Sequence, residues 1–205
     1  GQPKRAVENE IPEAFALAEA IGDSDLASRA SVLAIVGMVY LSGNSLFGTP
    51  EFARWAERAD RYAAPDTPAR AWADFGMYAV KTRAGNRTRQ PALVAEGLQL
   101  RRNALDLARR LGDQDAFWFI AYYIIFITTP QFTEERWKLA EELAGRSRAG
   151  VALRTLGIAL QSTALVLLES GQRKRAEAIG KELKELAERT HQAHVILLAM
   201  AWEYY

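Results

Sequence analysis

Residues 116–127, Ala-Phe-Trp-Phe-Ile-Ala-Tyr-Tyr-Ile-Ile-Phe-Ile, carry no formal charge across twelve positions, and six of the twelve are aromatic. A helix with that composition is apolar on every side, so neighbours must cover most of its circumference or it must offer an aromatic surface to a partner. It is too short to cross a bilayer, which takes about 20 residues. The run therefore demands a fold that can surround a helix. Thr128, Thr129 and Pro130 follow it and predict its end.

The rest of the chain reads as helix after helix. From Lys4 to Ile21 the residues Val7, Ile11, Ala14, Phe15 and Ala18 recur at three- and four-residue spacing and make one apolar face. Gly22 ends that helix, and Asp23 or Ser24 caps the next, which reaches Leu41 with a broad apolar surface. Gly43-Asn44-Ser45 is a turn. Thr49-Pro50 and Thr67-Pro68 each pair an N-cap with a proline at the first helical position. The first opens a helix holding Phe52, Trp55, Ala56, Ala59 and Tyr62; the second opens one holding Ala71, Trp72, Phe75, Tyr78 and Ala79 that is predicted to stop near Gly85-Asn86. Pro91 to Leu111 is the next helix, then the aromatic run, a helix from Thr133 with Trp137 and Leu143, one through Leu153 to Leu167, an amphipathic one from Arg173 to Arg189, and a last one from His191. No stretch offers consecutive period-two strands.

These helices alternate between a hydrophobic and a more charged member, the pattern of a two-helix repeat. The hydrophobic, inner members fall near 26–42, 68–84, 114–128, 151–170 and 191–205, and each of the first four centres on a small residue, Gly37, Gly76, Ala121 and Ala164, roughly 40 residues apart. The linkers recur too. Leu17-Ala18-Glu19-Ala20-Ile21-Gly22-Asp23 matches Leu107-Ala108-Arg109-Arg110-Leu111-Gly112-Asp113, and Leu186-Ala187-Glu188-Arg189 opens the same way. The expected fold is all-α: a right-handed array of antiparallel helix pairs, an α-solenoid of about four and a half units spanning residues 1–205 as one helical-repeat domain. The chain reads as a fragment of a longer protein.

The unit around Ala164, Leu167, Gly171 and Ala176 resembles a tetratricopeptide repeat, with a small residue, a bulky one three later, a turn glycine and a second-helix alanine. Its unit is longer than that family's, and the family's full aromatic and proline pattern is absent. The run from Leu107 through Gly112-Asp113 and the aromatic helix to Phe132-Thr133-Glu134-Glu135-Arg136, then Leu139-Ala140-Glu141-Glu142-Leu143, resembles the degenerate helical-repeat regions of large bacterial regulators, the LuxR-type and maltose-regulator ATPases and nucleotide-cyclase fusions. The resemblance implies a sensor or scaffold segment of a transcriptional or signalling regulator, whose ATP- and DNA-binding domains lie elsewhere.

Composition and motifs narrow the chemistry. Lysine and arginine number 26 against 25 acids, a balance that argues against a dedicated nucleic-acid binder. The chain has no cysteine, which suits a reducing cytoplasm, and neither a signal sequence nor a membrane span is expected. No phosphate-binding loop, nucleophile elbow or zinc-protease motif occurs, so neither enzymatic activity nor a cofactor is expected. His191 and His194 share a helix face, but no further histidine or cysteine can complete a metal site. Arg83, Arg87, Arg89, Arg101, Arg102, Arg109 and Arg110 make the middle of the chain basic, and Arg173-Lys174-Arg175 begins a helix, where positive charge opposes the dipole.

Aligning the inner helices on their small residues gives the candidate binding groove. It has Trp118, Tyr122 and Phe126 at its centre, Met77 on the same line, and Arg70, Lys81 and Gln161 at its edges. The expected function is a protein-interaction or ligand-sensing module that binds in this concave groove. Its partner would be a protein, a peptide or neighbouring domains of the parent chain, with a small ligand also compatible and no direct contact to nucleic acid or membrane. The alternatives are an autonomous small-molecule binder with an apolar aromatic pocket and a homodimer closed by the aromatic face.

Overall fold

A computed structural model describes residues 3–126 and 133–205, and among them the chain is helical with no strand. A short helical lead-in, Pro3–Arg5 and Ala6–Glu10, precedes ten helices: α1 Ile11–Ile21, α2 Ser24–Ser42, α3 Pro50–Tyr62, α4 Pro68–Thr88, α5 Pro91–Leu111, α6 Gln114–Ile125, α7 Thr133–Gly145, α8 Leu153–Glu169, α9 Arg173–Thr190 and α10 Ala193–Trp202. Ile127, the two threonines, Pro130 and Phe132 of the sequence argument lie outside the described residues. The helices group into two compact units, Gly1–Gly112 and Asp113–Tyr205.

Local chemistry explains where the helices begin and end. Asp23 caps α2 by accepting from Leu26 N at 3.0 Å, Thr49 caps α3 through Phe52 N at 3.3 Å, Thr67 caps α4 through Arg70 N at 3.3 Å, and Asp113 caps α6 through Ala116 N at 3.1 Å. The repeated Gly-Asp linker makes one device twice. Gly22 and Gly112 turn left-handed at φ 72° and 69° to close α1 and α5, and the aspartate that follows caps the next helix. At the third site His191 occupies the left-handed position without a glycine, at φ 51°. Pro12 has no N–H to give the carbonyl four residues back, and the helix ahead of it opens into the wider π turn of Ala6–Glu10.

Gly85 and Asn86 do not end α4, which runs on to Thr88 and turns at Arg89, φ 55°. The glycine serves packing instead. A Cβ on Gly85 would lie 2.9 Å from both Gln90 O and Val94 N, and one on Gly97 would lie 3.1 Å from Thr82 N and Tyr78 O, so α4 and α5 lie backbone against backbone. Gly76 plays the same part among α2, α3 and α4: its Cβ would meet Ile35 Cδ1 at 2.9 Å and Ala56 Cβ at 3.2 Å. The small central residue is thus a contact point between helices.

In the first unit each helix packs on the next, and α2 also touches α4. Its core joins Phe15 to Trp55, ring centroids 5.5 Å apart and edge to face, and Phe52 to Phe75 through Phe47. In the second unit α8 is central and packs against α6, α7, α9 and α10. Every residue of α6 from Ala116 to Ile125 is buried. Among the described residues one stretch, Ser24–Gly48, is long and apolar enough to cross a membrane by length and composition. Here it forms α2 and the following 3-10 turn and packs against α1, α3 and α4.

Candidate interaction surface

The residues expected to line a concave groove have definite places. Arg70 is an internal tie: its Nε donates to Asp74 Oδ1 at 2.9 Å, and its Nη2 and Nη1 reach Asp60 Oδ1 at 2.5 Å and Asp60 O at 3.1 Å, fastening the last turn of α3 to the first of α4. Burial pushes the Asp74 carboxyl above its usual range, and Arg70 pulls it back. Met77 is half-buried, and Lys81 Nζ pairs with Glu96 on α5 at 2.6 Å.

In the second unit Trp118 and Tyr122 are buried, at 0% and 6% exposure, while Phe126 is 62% exposed. The line Trp118, Tyr122, Phe126 is therefore closed along most of its length, and only its last ring is open. The α7–α8 connection covers Trp118. Trp118 Nε1 donates to Ser147 O at 3.2 Å, and the Arg148 guanidinium lies 5.3 Å from the indole centroid. Tyr122 packs against Phe119 and Tyr123 at 5.3 and 4.5 Å. Gln161 Nε2 donates to Leu198 O on α10 at 3.3 Å.

Arginines that sequence reasoning passed over hold this arrangement. Arg148 grips Glu182 on α9 with two bonds of 2.8 and 2.9 Å, and donates to the carbonyls of Leu143, Ala144 and Arg146 at the end of α7. Arg146 stacks on Phe117 at 3.8 Å and bonds Gln114 and Glu142. Arg136, buried, donates to Ile125 O at the end of α6 and pairs with Glu169 at 3.1 Å. Asp115 accepts from Ala152 N at 2.9 Å and so caps α8, whose own N-cap side chain cannot. An arginine beside a glutamate is a common sequence feature, and nothing in the spacing marks these as long-range ties.

The cationic start of α9 is also accounted for. Arg173 pairs with Glu177 at 2.8 Å and Arg175 with Glu141 at 2.5 Å. Hydrogen bonds from Arg175 and Gln172 hold the Glu141 carboxyl below its usual range. Glu134 pairs with Lys138 and Glu142 with Arg146. Among the described residues no three His, Asp or Glu side chains converge as metal ligands.

An open apolar groove of about 530 Å³ lies in the first unit, bounded on one side by the lead-in and α1 and on the other by α2. One wall carries Val7, Ile11 and Ala14; the other carries Leu26, Ala30, Leu33, Gly37 and Tyr40. Both walls advance in alternating steps of three and four residues, the spacing of a coiled-coil seam. Leu26 and Leu33 are 43% and 58% exposed, too much for a closed core. Glu10 and Arg29 mark the rim, and each is tied locally, Glu10 to Arg5 and Arg29 to Asp25. The sequence signal for this groove was present in the spacing of α2, where it is indistinguishable from that of a buried face. The chain matches no protein-family model, no curated protein and no solved structure.

Proposed function

We propose that this chain is a stack of helix pairs similar to tetratricopeptide repeats, that it works as a protein-interaction module, and that an amphipathic helix of a partner protein lies in the groove between α1 and α2. The stacking reading draws support from contacts between alternate helices, α2 with α4, α6 with α8, and α8 with α10, the pattern of neighbouring inner helices. The setting in a cytoplasmic bacterial regulator rests on the sequence resemblance alone.

One observation carries the choice of occupant. Two helices present seams of three-four spacing to a shared groove, and the surface that fills such a trough is a third helix with apolar residues at the same spacing. Its apolar residues would cover Leu26 and Leu33.

The test uses a fluorescein-labelled amphipathic peptide with leucines at heptad a and d positions, followed by anisotropy. Binding should be saturable, absent for a scrambled peptide, and weakened about tenfold or more by Leu33→Asp, since burying one leucine is worth about 1.5–3 kcal/mol. Equal binding to Leu33→Asp would remove the groove from consideration. A sedimentation experiment separates the rival occupant: a dimer of the wild-type chain dissolved by Leu33→Asp would assign the groove to a second copy. A co-purified apolar small molecule would assign it to a ligand, for which about 530 Å³ is an adequate volume.

A further inference from the structure

The basic middle of the chain divides into two groups. Arg101 is buried, its guanidinium 5.9 Å from the Tyr78 ring centroid; Arg102 bonds Gln99, Arg109 pairs with Asp106 and Arg110 with Asp66. Arg83, Arg87 and Arg89 are exposed, and no carboxylate pairs with them among the described residues. Arg83 and Arg87, one turn apart on α4, line a recess of about 150 Å³ whose other walls include Phe47, Gly48, Ala53 and Val80.

Two details set this recess apart from an ordinary solvated helix face. First, a cation in the last turn of α4 is favoured by the helix dipole, which accounts for Arg87 but not for Arg83 a turn earlier. Second, Arg83 is laid across Gly48: a Cβ there would come within 3.3 Å of both Arg83 Cγ and Nε, so the glycine leaves room for the arginine stem. Like charges one turn apart repel, and an anion held between them would relieve that repulsion. Glu51, in the first turn of α3, is exposed and does not line the recess.

We infer that the recess between the C-terminal part of α4 and the start of α3 binds the phosphate of a small phosphate monoester, with Arg83 and Arg87 on the oxyanion and Phe47 and Val80 against its organic arm. At about 150 Å³ the recess matches a small molecule in size. Guanidinium pairs suit phosphate because each can donate two parallel bonds to it. The inference is independent of the helix-binding groove.

Calorimetric titration of the full chain at low and physiological salt tests it, with phenyl phosphate and inorganic phosphate as probes. Phenyl phosphate should bind saturably at one site and more tightly than inorganic phosphate. Arg83→Gln and Arg87→Gln should each weaken it about tenfold, and Arg102→Gln should leave it unchanged. Gly48→Ala keeps every charge but crowds the Arg83 stem, which must shift by a few tenths of an ångström, and should weaken binding as well. The inference is overturned by an absence of saturable binding to the wild-type chain, by equal losses in Arg102→Gln and Arg83→Gln, by unaltered affinity in Gly48→Ala, or by an oligoglutamate peptide that outcompetes phenyl phosphate.

Discussion

Replacing glycine by alanine in a helix interior ordinarily stabilises it by about 1 kcal/mol, because alanine restricts the unfolded chain and covers the backbone. At Gly85 and Gly97 the structure predicts the opposite sign. The added methyl at Gly85 would lie 2.9 Å from Val94 N on α5 and from Gln90 O at its N-cap, and 2.8 Å from Val94 Cγ2; at Gly97 it would lie 2.7 Å from Thr82 Cγ2 with two backbone atoms of α4 at 3.1 Å. Backbone cannot rotate away as a side chain can, so the helices must part. Overpacking of that kind costs about 1–3 kcal/mol, and after the propensity gain of about 1 kcal/mol the net loss is up to about 2 kcal/mol at each site. A single outward shift of α5 relieves both contacts, so the double substitution should cost less than the sum of the two. Gly145, the last residue of α7, has nothing within 4 Å of its would-be Cβ, and there the alanine should stabilise by up to about 1 kcal/mol. Urea unfolding followed by far-ultraviolet circular dichroism gives all four values. Stabilisation by Gly85→Ala of the same size as that by Gly145→Ala would refute the close α4–α5 contact.

Arg148→Lys keeps the charge but not the two-pronged grip on Glu182 or the bonds to three carbonyls, and should cost about 1–3 kcal/mol; a red shift of tryptophan emission would report solvent reaching Trp118, and unchanged stability and emission would exclude the clamp. Burial is the main cause that pushes the Asp115 carboxyl above the ordinary 3.8, with the bond from Ala152 N opposing it. The folded state then holds that proton more tightly than the unfolded state. Its contribution to stability is present below pH 3.8 and is lost as pH rises through the raised folded value. Asp115→Asn retains an acceptor for Ala152 N and has no such loss, so its stability relative to wild type should improve as pH rises through this window. A relative decline over the same range would contradict the assignment.

The sequence made the helix boundaries legible wherever a single residue has one physical use. Thr49-Pro50, Thr67-Pro68, Gly22-Asp23 and Gly112-Asp113 are stops and caps because of their own chemistry, and they act so in the fold. Gly85 misleads because glycine has two uses, ending a helix and admitting a neighbour, and only the position of α5 distinguishes them. The need to cover the aromatic helix was equally legible, whereas the identity of one cover was not. That Ser147 O accepts from Trp118 while Arg148 lies over the ring depends on the path of a connection rich in glycine, serine and arginine, which carries no apolar pattern. For the groove, the alternating steps of α2 are plain in the sequence, yet Leu33 and Ala34 are adjacent apolar residues of which one is 58% exposed and the other fully buried.

Side-chain size explains why α2 keeps a groove beside it, whereas α6, of similar apolar character, is buried from Ala116 to Ile125. Facing positions along the groove carry Ala6, Val7 and Ala14 on one wall and Ala30 and Gly37 on the other. Their short side chains leave part of the gap unfilled, while at Gly37, where a Cβ would come within 2.6 Å of Val7 Cγ2, the walls meet closely. The empty volume therefore follows from small residues and not from any failure of the helices to approach. Ala14→Leu should fill part of the groove from within: alanine and leucine have nearly equal helix propensity, and the added apolar area would be covered by Leu26 and Leu33. The expected result is unchanged or raised stability together with loss of peptide binding, whereas Leu33→Asp loses binding by making the wall polar. Two substitutions of opposite chemistry then give one functional outcome. If Ala14→Leu folds and binds the heptad peptide as well as wild type, the peptide lies elsewhere on the chain, and the groove is merely a gap left by small side chains.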